Sequence, residues 1–385
     1  MSKITIKKVN VKLFRNLKNV SVVLEGKNTA FCGNNRIGKT NMLNAIYWCL
    51  TGVDLENNSN DWGNIPYDLV NDESESPVID VVVELNNGTI ERSASIIKGS
   101  CIGALAIDGV PCKTVKDGEL AIDQKLGILG LTLKQPKAFY VRRFLLNPMY
   151  INLVNESALR SFIVGLINDS VDYVDVFEKM PDNFKAKIKD IMLDKLFDVE
   201  SVSAFINSQM KTDKDEVAKW KVIIAYLKQF QATNVTAIND ANAMLSHFST
   251  SLNNNKELSI ILDRYVVDLS KALDKACESI FDGVKVKLIE KGVGEDVWKK
   301  VCYPLIPETD FALSQGSTSE RIIVGCHFLC SFVKMAKIGS LPLIFDECET
   351  LDNDSLIRIK EKTNTQLITA RVVSGHEKME VIKND

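Results

Sequence analysis

Eight consecutive residues carry the densest chemistry in this chain: Gly33-Asn34-Asn35-Arg36-Ile37-Gly38-Lys39-Thr40. They fit G-x-x-x-x-G-K-[ST], a loop whose job is to cradle phosphate. Its backbone N–H groups converge on phosphate oxygens, its glycines let the backbone come close, and the next helix turns its positive dipole end toward the anion. In that geometry Asn34, Asn35, Arg36, Gly38 and Asn41 surround the phosphates. Lys39 sits on the β and γ phosphates, and Thr40 offers a hydroxyl to Mg²⁺. A second group lies far along the chain, where an apolar run over residues 341–345 ends in Asp346 and Glu347. A strand presents its terminal carboxylates at the sheet edge. There Asp346 would hold Mg²⁺ through water, and Glu347 would orient and deprotonate an attacking water. A plain strand running into an acidic loop is the other reading. A third group, Leu313-Ser314-Gln315-Gly316-Ser317, precedes an apolar helix. Gly316 allows close approach and the Ser314 hydroxyl can bond a γ-phosphate oxygen, although four such residues alone also fit an ordinary helix start.

These groups need a scaffold. Residues 28–32 are predicted as a short strand into the loop. Residues 41–50 are predicted as the helix out of it, with Met42, Leu43, Ala45, Ile46 and Leu50 on one side. Residues 4–13 alternate as a strand, 14–19 form a polar turn and 20–24 a second strand. Strands over 78–85 and 89–97 flank Asn86-Asn87-Gly88, a hairpin signal, and short strands continue over 103–113. After Pro148 the pattern turns helical. Residues 156–167, 215–230, 236–252 and 258–280 repeat apolar positions at steps of three and four, the seam of packed helices or a short coiled coil. Asn253-Asn254-Asn255 is the best turn between them. An arm of ~25 helical residues would reach about 40 Å, and a compact helical subdomain is the alternative. Strand patterns return over 284–288 and 297–303, then a helix over 319–335 and strands over 341–345 and 366–373. The expected division is 1–198, 199–281 and 282–385.

Composition narrows the class. With 45% hydrophobic and 25% charged residues, the chain reads as globular. A net charge of −3 leaves no overall electrostatic case for nucleic acid, only local patches. Two basic runs qualify: Lys7, Lys8, Lys12, Arg15 and Lys18, and Arg142-Arg143. Each is equally legible as a solvated face. Nine cysteines without framework spacing suit a reducing, cytoplasmic setting. Cys326 and Cys330, four apart in an apolar helical run, read as core thiols. No signal peptide opens the chain, and no apolar run approaches the ~18–20 residues that cross a bilayer, so no membrane partner is expected.

The order of these motifs resembles the ABC-type ATPase heads of the SMC, SbcC and RecF class. Phosphate loop, helical insertion, L-S-x-G, apolar-Asp-Glu and Thr350-Leu351-Asp352 follow one another as they do there. Details are similar to the small phage and bacterial SbcC-related (AAA_23-like) ATPases: Phe14-Arg15-Asn16, Ala45-Ile46-Tyr47-Trp48 and Phe144-Leu145-Leu146-Asn147-Pro148. The resemblance covers about residues 1–165 and 283–375. It implies an α/β P-loop NTPase whose head is assembled from both ends of the chain. It implies ATP, Mg²⁺ and a homodimer formed on ATP binding, with Ser314 and Gly316 reaching a second subunit's nucleotide and Asp352 in the loop that crosses the interface. It makes Arg15 a further phosphate contact and DNA the usual governed substrate.

Recombination, repair or replication is the role implied, with a separate nuclease or effector subunit as a partner. The 33 residues after Asp352 are too few for an appended nuclease. An ATP-gated sensor or scaffold in antiviral defence uses the same head and is the alternative. The chain departs from the class in four ways. Arg36 stands where Gly is common, so that position is not expected to need a positive φ. Leu367-Ile368-Thr369-Ala370-Arg371 replaces the stretch with the switch histidine, and His376 reads as surface. No glutamine fills the Mg²⁺-sensing place: Gln135 is too early and Asn147 is nearest. Finally, the arm has no Cys-x-x-Cys, so no zinc hook is expected.

Overall fold

The computed structural model describes residues 3–56, 78–97, 100–132, 140–167, 181–182, 199–229, 235–281, 283–291, 298–306, 309, 311–375 and 377–384. The chain forms two compact units. The first joins Met1–Ile163, Glu278–Lys285 and Pro304–Asp385, and the second joins Val164–Cys277 and Val286–Tyr303.

In the first unit β1 (Ile6–Phe14) and β2 (Leu17–Val23) form a hairpin. Its turn is only Arg15-Asn16, tighter than the six-residue turn expected, because the pairing continues to Phe14 and Leu17. With β4 (Val78–Leu85), β5 (Gly88–Ile97), β6 (Ser100–Ile107) and β7 (Val110–Pro111) they make an antiparallel sheet of order β2-β1-β4-β5-β6-β7. The second sheet has order β10-β11-β3-β12, from β3 (Asn28–Gly33), β10 (Leu343–Phe345), β11 (Leu367–Val372) and β12 (Glu380–Asn384). Its first three strands are parallel, and β12 is antiparallel to β3. Parallel strands buried on both faces read as unbroken apolar runs, as Leu343, Ile344 and Phe345 do. The amphipathic β12 gave no such signal and was not expected.

The two chain ends are sewn together by one side chain. Buried Gln366 accepts from the Ile6 N–H at 2.6 Å and donates to the Ile6 and Lys27 carbonyls. Helix α1 (Lys39–Thr51) is buried nearly all round between the sheets. Around it lie α2 (Val115–Lys125), α3 (Leu129–Thr132), α4 (Val141–Leu146), α5 (Tyr150–Leu153) and α6 (Glu156–Ile167). Phe144 of α4, Phe162 of α6 and Phe332 pack edge to face, a geometry that adds to their burial.

In the second unit α7 (Val199–Gln229) and α8 (Val235–Ile280) are single helices of 31 and 46 residues. Asn253-Asn254-Asn255 is therefore not a turn. Those residues lie inside α8, and the link between the helices falls at residues 230–234, outside the described residues. The asparagines cost only a few tenths of a kcal/mol each in a helix, and one has a partner across the pair. Buried Asp213 of α7 accepts from Asn255 at 2.9 Å and Ser251 at 2.8 Å. At 1.5 Å per residue α8 is about 69 Å long, well beyond the arm expected. The hairpin β8 (Val286–Lys291) and β9 (Trp298–Pro304) completes this unit, with the Trp298 indole donating to Asp263 of α8.

Candidate functional site

The phosphate loop runs from β3 into α1 of the first unit, strand–loop–helix as the motif requires. Gly38 caps α1 at φ 98°, and a Cβ there would meet Leu17 at 2.9 Å and Asn16 at 3.2 Å. Only glycine fits this position. Buried Lys39 folds back across the loop and donates to the Gly33 and Asn34 carbonyls at 3.0 and 2.6 Å. The far side is braced by the Gly375 N–H, which donates to the Asn34 side chain at 3.1 Å.

Arg36 has φ 67°. The expectation that this position does not need a positive φ is wrong: the loop imposes the left-handed conformation, and the arginine adopts it at a cost of about 1–2 kcal/mol. Arg15 (φ 49°) and Glu347 (φ 56°) are held in the same region. Five non-glycine residues away from the cavity, Asn19, Glu25, Asp108, Lys337 and Asn364, also have positive φ, so the left-handed backbone alone does not mark the site.

Because β11 lies between β3 and β10, the ends of β3 and β10 open on one cavity of about 310 Å³. Asn35, Arg36, Gly38, Lys39, Thr40 and Asn41 line one side, and Asp346 and Glu347 the other. Asp346 is oriented locally, since its Oδ1 accepts the Glu347 N–H at 2.8 Å. Three further lining residues escaped the sequence reading: Glu349, Ala370 and Val372. Ala370 and Val372 belong to β11; Ala370 lies on the stretch where a switch histidine was sought, and neither offers a side-chain donor. His376 and Gln135 lie outside the described residues.

A smaller cavity of about 190 Å³ shares Thr40, Asp346 and Glu347, and adds Asn44, Asn147 and Thr318. The Asn147 amide is engaged: its nitrogen donates to the Leu55 carbonyl at 3.0 Å, and its oxygen accepts the Met149 N–H at 2.9 Å. Arg15 reaches the loop's edge, donating to Asn41 at 3.2 Å and lying 3.6 Å from the Asp54 carboxylate.

Ser314, Gly316 and Asp352 do not line either cavity. Ser314 sits in a 3₁₀ turn, Leu313–Gln315, and its carbonyl accepts from Arg321 at 2.7 Å. The helix that follows, α9 (Thr318–Ala336), begins with a capping box between Ser317 and Glu320. Its positive end thus already faces a carboxylate, and the Ser317 bonds hold Glu320 below the usual glutamate range. Gly325 of α9 passes so close to the Pro148 carbonyl that a Cβ would overlap it at 2.0 Å, which fixes the loop carrying Asn147. Asp352 caps α10 (Asn353–Thr363) by accepting the Ser355 N–H at 2.6 Å, and this bond lowers its pKa.

The described residues withdraw one member of the basic runs, Arg142, from any nucleic-acid surface. Lys7 donates to the Glu25 carbonyl, and Arg15 to Asn41 beside the phosphate loop. Arg142 is buried and bonded to Asp123 at 2.6 Å and to Glu119, so it is unavailable to DNA. Cys326 and Cys330 are buried in α9, as expected. Among the described residues no helix is long and apolar enough to cross a membrane.

The AAA_23 family model, described as AAA domain, matches residues 8–276. No curated protein matches the chain. Among solved structures it is similar to the Smc head domain with an extended coiled coil, bound to the C-terminal domain of ScpA, from Pyrococcus furiosus. Identity there is 15%, over 99% of this chain and 96% of that one, with a TM-score of 0.39. It is also similar to the recombination mediator protein RecF with ATP (15%, 100% of both chains, TM-score 0.42) and to an Smc head bound to the C-terminal winged-helix domain of ScpA (13%, 99% and 98%, TM-score 0.43). The family match spans more than half of the chain. Together with a phosphate loop on its strand and helix and a parallel core built from both chain ends, it makes this protein a member of the AAA_23 family of AAA domains, with an α/β P-loop fold.

Proposed function

We propose that the chain hydrolyses ATP at the cavity between the phosphate loop and the end of β10, and that ATP joins two copies head to head. The observation that carries this reading is the meeting of Lys39, Thr40, Asp346 and Glu347 on one cavity. Lys39 and the loop N–H groups hold the phosphates. Glu347 takes a proton from water as the water oxygen bonds to the γ-phosphorus, and the bond to the bridging oxygen breaks, leaving ADP and phosphate. The Thr40 hydroxyl and Asp346 carboxylate are hard oxygen donors on the same cavity, a set that fits Mg²⁺. When bound, such an ion draws charge from the phosphate oxygens. Asn147, on the adjoining cavity with Thr40 and Asp346, accepts one N–H from Met149 and keeps a second lone pair on its amide oxygen that could face the ion.

Ser314 and Gly316, outside the cavity of their own subunit, serve the nucleotide of a second one, with Asp352 in the joining loop. With Arg142 buried and paired, Lys7, Lys8, Lys12 and Lys18 of the β1–β2 hairpin are the basic run that could meet DNA. DNA recombination, repair or replication, with a separate nuclease or effector subunit, is the setting we infer from the class. The test is Lys39→Ala: nucleotide binding should be lost while the thermal melt is retained. Near wild-type ATP affinity in that variant would remove the site.

A further inference from the structure

Resting on the reading of this cavity as an ATP site, we propose that Arg36 is the residue that distinguishes ATP from ADP, its guanidinium meeting the terminal phosphate of the nucleotide bound in its own subunit. Two cations line the cavity. Lys39 spends two of its N–H groups on the Gly33 and Asn34 carbonyls and lies at the root of the loop. Arg36 is exposed at the loop's tip and has no hydrogen-bond or ion-pair partner among the described residues.

Beyond Lys39 and the Mg²⁺ that Thr40 and Asp346 would hold, Arg36 is the one further positive group on the cavity lining. Asp346, Glu347 and Glu349 are acids, and the β11 wall is Ala370 and Val372, which donate nothing. Hydrolysis places charge on the equatorial oxygens of the terminal phosphate as water attacks phosphorus and the electron pair of the bridging bond leaves with ADP. A positioned guanidinium offsets that charge in two places at once, a geometry an ammonium does not match. ADP lacks the group Arg36 would meet, whereas Lys39, the loop N–H groups and a bound Mg²⁺ would serve both nucleotides.

The experiment measures ATP and ADP affinity by calorimetry, and ATP turnover, for wild type, Arg36→Asn, Arg36→Gly and Arg36→Lys. Asparagine tolerates the left-handed region and glycine is at home there, so both should fold and melt no lower than wild type. Both should keep ADP affinity within about twofold while ATP affinity falls about tenfold. Turnover should drop by roughly 10³-fold or more, the scale associated with an arginine on a transferring phosphoryl group. Arg36→Lys should recover part of the ATP preference. An unchanged ATP-to-ADP ratio and turnover in Arg36→Asn would overturn the assignment. So would equal loss of both nucleotides, since the residue would then only shape the loop. A wild-type protein that binds neither nucleotide would instead defeat the underlying ATP-site reading.

Discussion

The Asn41 side chain donates to the Asn16 side-chain oxygen over 2.7 Å, stapling the β1–β2 turn to the first turn of α1. Asn41 also accepts from Arg15, so one amide positions both residues of that turn against the phosphate loop. Replacing Asn16 with Ala should loosen the turn that carries Arg15, whose own contacts run to Asn41 and Asp54, and widen the gap beside Gly38. The expected result is a stability loss of about 0.5–1.5 kcal/mol, the net worth of one such bond, with ATP affinity lowered several-fold. Denaturant melts and calorimetry measure the two effects. An unchanged affinity would mean that the turn does not shape the site.

The second prediction concerns acid. Arg92, fully buried, pairs with Glu119 at 2.7 Å, and Arg142 pairs with the other oxygen of the same carboxylate. Burial alone would raise the Glu119 pKa, but the two guanidiniums outweigh it and hold the carboxyl below the usual range. A depressed folded pKa stabilises the fold above the unfolded value, about 4.3. That stability is lost as pH falls through the folded value. Glu119→Gln should therefore cost roughly 1–3 kcal/mol at neutral pH and flatten the loss of stability below about pH 4.5. Thermal melts across that range check it; parallel acid limbs in the two proteins would reject it.

Asp213 supplies the third. Its carboxylate serves Ser251 and Asn255 inside the paired helices, so Asp213→Ala leaves two polar groups without their acceptor. Stability should fall by roughly 1–3 kcal/mol. Changing Asp213, Ser251 and Asn255 together to apolar residues should restore most of it, since replacing all partners removes the unsatisfied groups. If the single variant melts like wild type, this trio does not hold α7 and α8 in register.

The legible parts of this protein were those written in short-range spacing. G-x-x-x-x-G-K-T marks its loop because eight residues must take one backbone path, and Asp346-Glu347 follows an apolar strand directly. What failed depended on partners distant in sequence. The Asn253-Asn254-Asn255 run looks like a turn locally, and only Asp213, 38 residues before Ser251, makes it helix. Glu349, Ala370 and Val372 enter the cavity only because β11 lies between β3 and β10. Arg36 was misread because side-chain identity argues against a left-handed backbone, whereas the loop between β3 and α1 dictates it.

The most direct test of ATP-joined, Glu347-dependent hydrolysis is Glu347→Gln, followed by light scattering after size exclusion with and without ATP and Mg²⁺. Glutamine keeps the size of the side chain and can still hold water, but it is a very poor base. Lys39, Thr40 and Asp346 remain to bind nucleotide. Turnover should fall by roughly 10²–10⁴-fold, and the uncleaved γ-phosphate should hold two subunits together, doubling the mass only when ATP is present. A variant that stays monomeric at saturating ATP would contradict the joined-head account, and one that hydrolyses at the wild-type rate would contradict the role of Glu347.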